Sequence, residues 1–479
     1  MTPTRANPIA AVAFAGILVA AAALRFATLD LQSFWVDEGA TIHLLRSDFG
    51  GMLDGLTVTE KTPPLYYVLA WLWTRPFGTG EIGVRSLSAL VGVLTVPAAF
   101  ALARELVSER AALIAAALVA VNPLLVWYSQ EARAYALLVL LATLATLFAV
   151  RRRPWLWALC SALALATHYF AAFVVGPLAL WLLVRPDDRR RTLAAAGAVA
   201  AAGLALLPLA IDQSENPGSN FITGTALGTR LLQVPKQFLL GHDAPAEAVF
   251  TTLSVALAAA GGWLALTRAR EKAPGIGGVA ALAAAAVVLA LVAAIAGADF
   301  VIARNLIVAL VPLIVVVAAG FAAWGRAGTG LAAALVGLSL VTVIAVFARP
   351  EFQRDDWRGA AEAIGTARGE RALVVNPIAG EVALRVYLDG LEPFGKGFRR
   401  VDEIVLVAVT ERRPGETPRP PRPPSPPIPG FVIEGRRETD TFTLVRLRAG
   451  AVKEISSPGL TYNRLGRDLA VTLRQRPTP

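Results

Sequence analysis

Cysteine is all but absent. Cys160 is the only one in 479 residues, so the chain can form no internal disulfide and no cysteine-based metal cluster, and its place inside an apolar run makes it a packing residue. Charge is scarce too: 17% of residues are charged and 56% hydrophobic, with a mean hydropathy of +0.58. Ordinary soluble domains carry about 25% charged residues, so composition alone describes a membrane protein. P-loop, GxSxG, HExxH and kinase-type motifs are all missing, which argues against ATP-driven transport by this chain alone. The net charge of +10 comes without the aromatic, glycine-rich or zinc-type modules of a nucleic-acid binder, so no nucleic-acid partner is expected.

What the chain does have is long apolar runs. A hydrocarbon core about 30 Å thick needs roughly 20 apolar residues per helix. Segments 8–26, 84–103, 111–127, 135–150, 155–168, 170–184, 193–211, 248–266, 276–297, 305–324 and 328–348 meet or approach that length, about eleven spans. "IAAVAFAGILVAAAALRF" could be a secretory signal, but it is long enough to span and further spans follow, so it reads as a retained first helix. The runs either side of His168 are short singly and too long together, which predicts a hairpin turning at His168 to Phe170. "PPLYYVLAWLWTRPFG" suits an interfacial or re-entrant helix.

With the N-terminus cytoplasmic, inner loops carry Arg5, Arg104, Arg110, Arg151 to Arg153, Arg185, Arg189 to Arg191, Arg268, Arg270, Lys272 and Arg326. Outer loops are longer and poorer in basic residues, as the positive-inside rule requires. An odd number of spans places the C-terminus outside. From Arg349 onward the pattern reads helix, strand, helix, strand and a strand pair, interrupted by the proline-rich loop 413–430 and closed by a poorly ordered tail. The expected organisation is a transmembrane catalytic part, 1–348, with a first outer loop 27–83, and an extracytoplasmic α/β domain, 349–479.

Charged residues collect at the outer boundary. Asp37 and Glu38 in "SFWVDEG" follow aromatics that belong at headgroup level, where partial desolvation raises a carboxylate's pKa and suits it to accept a proton; the plain alternative is a solvated, helix-capping pair. Glu60 and Lys61 precede Pro63 and Pro64, which open the interfacial helix; the plain alternative is two surface charges at that helix's start. Gln130, Glu131, Arg133 and Tyr135 sit at the outer end of two spans, where charge marks a pathway or a site. Arg133 could grip phosphate with its planar fork or simply pair with Glu131. His168 could be a ligand or a hydrogen-bonded structural residue, and Arg304 could face the site or snorkel to the interface.

In order along the chain, "FWVDEG", "EKTPPLYYVLAWLW", "GEIGVRSLSALVGVLTVPAAFALARELV", "NPLLVWYSQEARAYAL" and "THYFAAFVV" resemble the GT-C membrane glycosyltransferases. The nearest likeness is to bacterial relatives of the dolichyl-phosphate-mannose protein mannosyltransferases and of the lipid A aminoarabinose transferase; it is clear over about residues 8–180. The resemblance implies an all-α polytopic fold with a small extracytoplasmic α/β domain, in the inner or plasma membrane. It implies an inverting transfer of a hexose or pentose, mannose or similar, from a polyprenyl-phosphate donor to a protein, lipid or glycan acceptor, with no nucleotide sugar. Asp37, with Glu38 beside it, would be the catalytic carboxylate. Lys61, Arg133 and Arg304 would offset charge on the departing lipid phosphate, supported by Glu60, Tyr135 and His168. Thr62 is inserted in the Glu-Lys-Pro-Pro element, and Asn305 stands where an arginine-tyrosine element has tyrosine. Some members bind a divalent metal near the acidic loop, for which Asp37, Glu38, Glu60 and His43 or His168 are the ligands on offer, Glu60 and His168 foremost.

Two other readings compete. A transporter or lipid flippase also uses many spans and buried charges, but predicts paired repeats with broken helices at midplane, and the charges here gather at one boundary with no internal repeat. A non-catalytic envelope scaffold displaying the C-terminal domain would leave Asp37 and Glu38 free to vary.

Overall fold

The structure, a computed structural model, describes residues 7–184, 189–214, 220–367, 369–410, 428–461, 464–466 and 468–476, with backbone alone at 220, 221 and 272. The expected proline-rich loop, up to 427, lies outside them. The chain divides into two compact units: one holds residues to Leu29 and Ser47–Val346, the other Asp30–Arg46 and Phe347 onward. The expected first outer loop 27–83 is thus shared between them.

The first unit is helical. Every expected span falls on a helix: Pro8–Phe26, Glu81–Leu106, Glu109–Val121 with Pro123–Ser129, Tyr135–Val150, Pro154–Thr167, Ala172–Leu183, Arg189–Ser214, Glu247–Leu264, Gly275–Ile295, Leu310–Ala323 and Gly325–Ala348. Seven of the described helices are long and apolar enough to cross a membrane, eight if the pair bent by 57° at Asn122 counts as one. Three others, from Tyr135, Pro154 and Tyr169, are shorter apolar helices, so length alone does not return eleven spans. The hairpin turns where expected, with Thr167 ending one helix and Tyr169–Ala171 forming a single tight turn before the next. Leu65–Phe77 is the short helix after the prolines.

Small residues let these helices approach. A Cβ on Gly320 would lie 1.8 Å from the Gly261 carbonyl oxygen, so the helices that carry these two glycines touch backbone to backbone. The bend at Asn122 has an equally local cause. Pro123 has no N–H to give the Val119 carbonyl. The fully buried Arg25 supplies the missing donors, reaching the Val119 oxygen at 3.1 Å and the Ala120 oxygen at 2.7 Å. Gly92 makes room for it, since a Cβ there would come within 3.0 Å of Arg25 Nε. Asn122 caps the following helix through Leu125 N–H and donates to the Phe238 carbonyl.

The second unit is a mixed sheet in the order β2-β6-β1-β3-β5-β4, with β1 Arg371–Asn376, β2 Leu391–Pro393, β3 Phe398–Val409, β4 Val432–Glu438, β5 Phe442–Ser456 and β6 Val471–Gln475. Strand β1 pairs parallel with β3 and antiparallel with β6. It is buried along its whole length: Leu373 and Val375 face a core shared with helices Trp357–Ile364 and Gly380–Tyr387, while Ala372 and Val374 face Phe394 and Phe431. The tail is a correction, because β6 lies between β1 and β2. Only five residues long, it carries too little period-2 pattern to announce itself before its partners are known.

Candidate functional site

In the first unit the site grows from a chain break. Helix Phe49–Thr59 stops at Glu60, whose extended backbone leads into the two prolines. Gln213, nearly inaccessible, clamps this turn by donating to the Leu56 carbonyl at 3.0 Å and the Thr62 carbonyl at 3.1 Å, while its own oxygen accepts from the Tyr169 hydroxyl at 2.9 Å. One amide therefore fastens the Glu60 turn to the His168 turn.

Arg133 lies in the break before helix Tyr135–Val150. Its two terminal nitrogens meet both oxygens of Glu60, at 2.6 and 2.8 Å, and both residues are buried. The alternative of a Glu131 partner for this fork gives way to a bidentate pair with Glu60, the strongest common ion-pair geometry. Lys61, next along, is half-buried and makes no hydrogen bond or ion pair among the described residues.

Tyr135 opens its helix with its ring 4.7 Å from Tyr128 and 5.6 Å from His168. His168 accepts a hydrogen bond from Phe170 N–H on Nδ1, which leaves Nε2 as the protonated nitrogen of a neutral ring. Neutral it stays: burial, and behind it the guanidinia of Arg133 and Arg304, pushes the imidazole down to about 3. That influence also brings Arg304, half-buried in the turn Ala303–Ala309, into electrostatic reach of His168. Glu60, Arg133, Tyr135, His168 and Arg304 thus gather in one unit, at the end of the bundle where helix Tyr135–Val150 begins.

The sequence reading passed over several residues here. The His242 ring lies 4.9 Å from Trp127, inclined by 56°, and extends the aromatic row toward Tyr128. Gln130, which the sequence did single out at the outer end of two spans, donates to the Leu24 and Arg25 carbonyls and to Thr28, so it closes the C-terminal end of the first helix. Arg25 and Gln213 carried no signal, because each acts on backbone far away in sequence.

Asp37 and Glu38 belong to the second unit, in the first turn of helix Val36–Arg46, whose positive end favours carboxylates. Four hydrogen bonds anchor the preceding strand-like stretch: Arg354 N–H to Gln32, Ser33 hydroxyl to the Asp355 carbonyl, Trp357 N–H to Ser33, and Phe34 N–H to the Tyr387 hydroxyl at 2.6 Å. The helix then crosses Gly380–Tyr387 at Gly39, where a Cβ would stand 3.0 Å from the Val382 oxygen. The two acids differ. Glu38 is fully buried and its Oε2 faces the Trp35 N–H of its own turn at 3.5 Å, whereas Asp37 is only half-buried. On the same helix, burial holds the His43 imidazole below its ordinary range.

The residues present do not suit a metal. Among the described residues no group of three or more His, Cys, Asp or Glu is placed to hold one. Both oxygens of Glu60 face Arg133, and His168 Nδ1 is already an acceptor.

Comparison with known proteins fits this architecture. The family model of the dolichyl-phosphate-mannose-protein mannosyltransferases matches residues 61–211, a stretch that contains Lys61, Arg133, Tyr135 and His168. A search of the curated proteins finds no match. Among solved structures, ArnT from Cupriavidus metallidurans bound to undecaprenyl phosphate aligns with a TM-score of 0.54 at 14% identity, over 92% of this chain and 98% of that one. The apo state of the same protein gives 0.55 at 13% identity, over 91% and 98%. At that identity the likeness is one of fold. The resemblance to the GT-C membrane glycosyltransferases read from the sequence is borne out, and the chain is a multi-pass membrane protein with that fold and a C-terminal sheet unit.

Proposed function

We propose that this protein is a membrane glycosyltransferase that moves a hexose or pentose, mannose or similar, from a polyprenyl-phosphate donor to an acceptor outside the membrane. Lys61 carries the reading furthest: an unengaged, half-buried residue that follows Glu60 of the Glu60–Arg133 pair in the chain, in the unit where Arg304 and a neutral His168 also gather. Such a cluster offers a leaving lipid phosphate positive charge that is already in place, which is where preorganised electrostatics lower a barrier most. Glu60 holds the Arg133 fork, so Lys61 and Arg304 take the phosphate oxygens most directly and His168 Nε2–H donates. Lys61 and Arg133 lie within the stretch that matches the mannosyltransferase family.

The acceptor hydroxyl oxygen attacks the anomeric carbon. Its proton passes to the Asp37 carboxylate, and the bond from carbon to phosphate oxygen breaks, its electron pair leaving on the lipid phosphate with inversion at carbon. Asp37 is preferred to Glu38 as the base because Glu38 is buried in its own helix turn. The arginine bias puts the N-terminus in the cytoplasm and the C-terminal unit outside.

The test is transfer of radiolabelled sugar from synthetic undecaprenyl-phosphate donors to acceptors extracted from envelope membranes by the purified protein in nanodiscs. Donor-dependent transfer that falls with Lys61→Ala and Asp37→Asn supports the reading; full activity in both variants sinks the assignment of these residues.

A further inference from the structure

At the opposite end of helix Tyr135–Val150 lies a second feature. A cavity of about 650 Å³ opens between that helix, Ala172–Leu183 and Gly275–Ile295, walled by Thr146, Val150, Trp181, Gly278 and Leu282 among other mostly apolar groups. Arg152 is the one charged side chain among the described residues of its lining. The volume falls within the roughly 300–1,000 Å³ usual for ligand sites. Its rim includes Leu180 and Val184, 65% and 70% exposed, so it opens sideways rather than into a sealed core.

Arg152 stands in an unusual place. The helix ends with Arg152 N–H bonded to the Ala149 carbonyl and Arg153 N–H to the Phe148 carbonyl, the Schellman arrangement. That arrangement puts Arg152 at the left-handed position, φ 54°, where glycine is the unstrained choice. A side chain kept where glycine fits better implies a use for the side chain. More positive charge lies nearby: Arg153 adjoins it in the chain, Arg151 also flanks it but is paired with Glu105 at 2.9 Å, and Arg270 Nε would be 3.5 Å from a Cβ on Gly277, in the helix that walls the cavity. Trp181, half-buried in the wall, is the residue type that settles at headgroup level.

We propose that this cavity is a binding site for an anionic glycerophospholipid, with an acyl chain along the apolar walls and the phosphate held by Arg152. An apolar slot open to the bilayer fills with hydrocarbon whatever the headgroup; the arginines at its mouth select a negative one. The site is separate from the arginine cluster at the other end of the helix and stands whether or not the protein transfers sugar.

Native mass spectrometry of the full chain in detergent tests it, with phosphatidylglycerol, phosphatidylcholine and undecaprenyl phosphate offered at equal concentration. The expected result is retention of phosphatidylglycerol over phosphatidylcholine, reduced about fivefold by Arg152→Gly, with thermal stability unchanged or raised because glycine suits the left-handed position. Gly278→Phe, which fills the slot, should abolish retention of both phospholipids. Equal retention of the two by the parent protein, or unchanged retention in Arg152→Gly, overturns the proposal. So does displacement of phosphatidylglycerol by undecaprenyl phosphate, which would make the cavity a seat for a polyprenyl tail.

Discussion

Glu60 in the helical unit and Glu38 in the sheet unit are both almost inaccessible carboxylates at a helix end, yet they are treated differently. Glu60 faces a guanidinium that meets both of its oxygens; Glu38 faces the backbone of its own turn, with the half-buried Asp37 beside it. A buried carboxylate given a full counter-charge is a structural strut and an electrostatic holder. One held by its own turn at a helix N-terminus leaves the half-buried Asp37 beside it as the more accessible acid of the two. The difference teaches that burial alone does not say what a carboxylate does; its partner does.

The comparison breaks most sharply at Asp37. Asp37→Asn should cut sugar transfer by about 10²–10⁴-fold, the usual worth of a positioned general base, with the melting temperature unchanged; a loss tenfold or smaller would move the base elsewhere. Next is the strut. Glu60→Ala leaves Arg133 buried without its counter-charge and should cost about 3–5 kcal/mol in unfolding free energy, while the double change Glu60→Met with Arg133→Met should recover most of it. A small effect of the single change on denaturant unfolding would demote the pair to an ornament. Gly39→Ala should cost about 1–3 kcal/mol, because the added Cβ meets the Val382 oxygen at 3.0 Å and the two helices must separate. Its signature is loss of the Phe34–Tyr387 contact, read by tyrosine fluorescence.

The smallest effect is on pH. His168 is held near 3 in the fold against about 6.5 unfolded, so the folded state binds fewer protons and stability is present above pH 6.5 and lost as pH falls below it. About 1 kcal/mol should be gone by pH 6, and His168→Gln should flatten that slope. An unchanged slope in the variant would show that His168 is not buried neutral.

Much of the helical unit was legible because a bilayer demands length and greasiness, and both can be counted along a line. The acidic pair, the Glu-Lys-Pro-Pro turn and the His168 hairpin were legible for a similar reason, since charge and proline interrupt apolar runs. The Glu60–Arg133 pair was not. Its members lie 73 residues apart, and Glu131, nearer in sequence, was the obvious partner. Arg25 looked like an ordinary basic residue at a helix end, although it replaces donors that Pro123 withholds nearly a hundred positions later. Strand β6 stayed hidden because its hydrogen bonds, rather than its pattern, make it a strand.

By itself, the sequence determined that this is a many-helix membrane protein with an α/β end, and which ordered motifs make it resemble the GT-C glycosyltransferases. Those properties are sums over local runs, set by transfer of side chains between water and hydrocarbon. Only the tertiary structure decided that Arg133 is held by Glu60, that the Asp37 turn is bound to the residues beyond Phe347, and that Glu38 rather than Asp37 is sealed inside. Each of these depends on which distant backbone and side-chain groups meet once water is excluded, and such pairings are fixed by packing in three dimensions rather than by spacing in one.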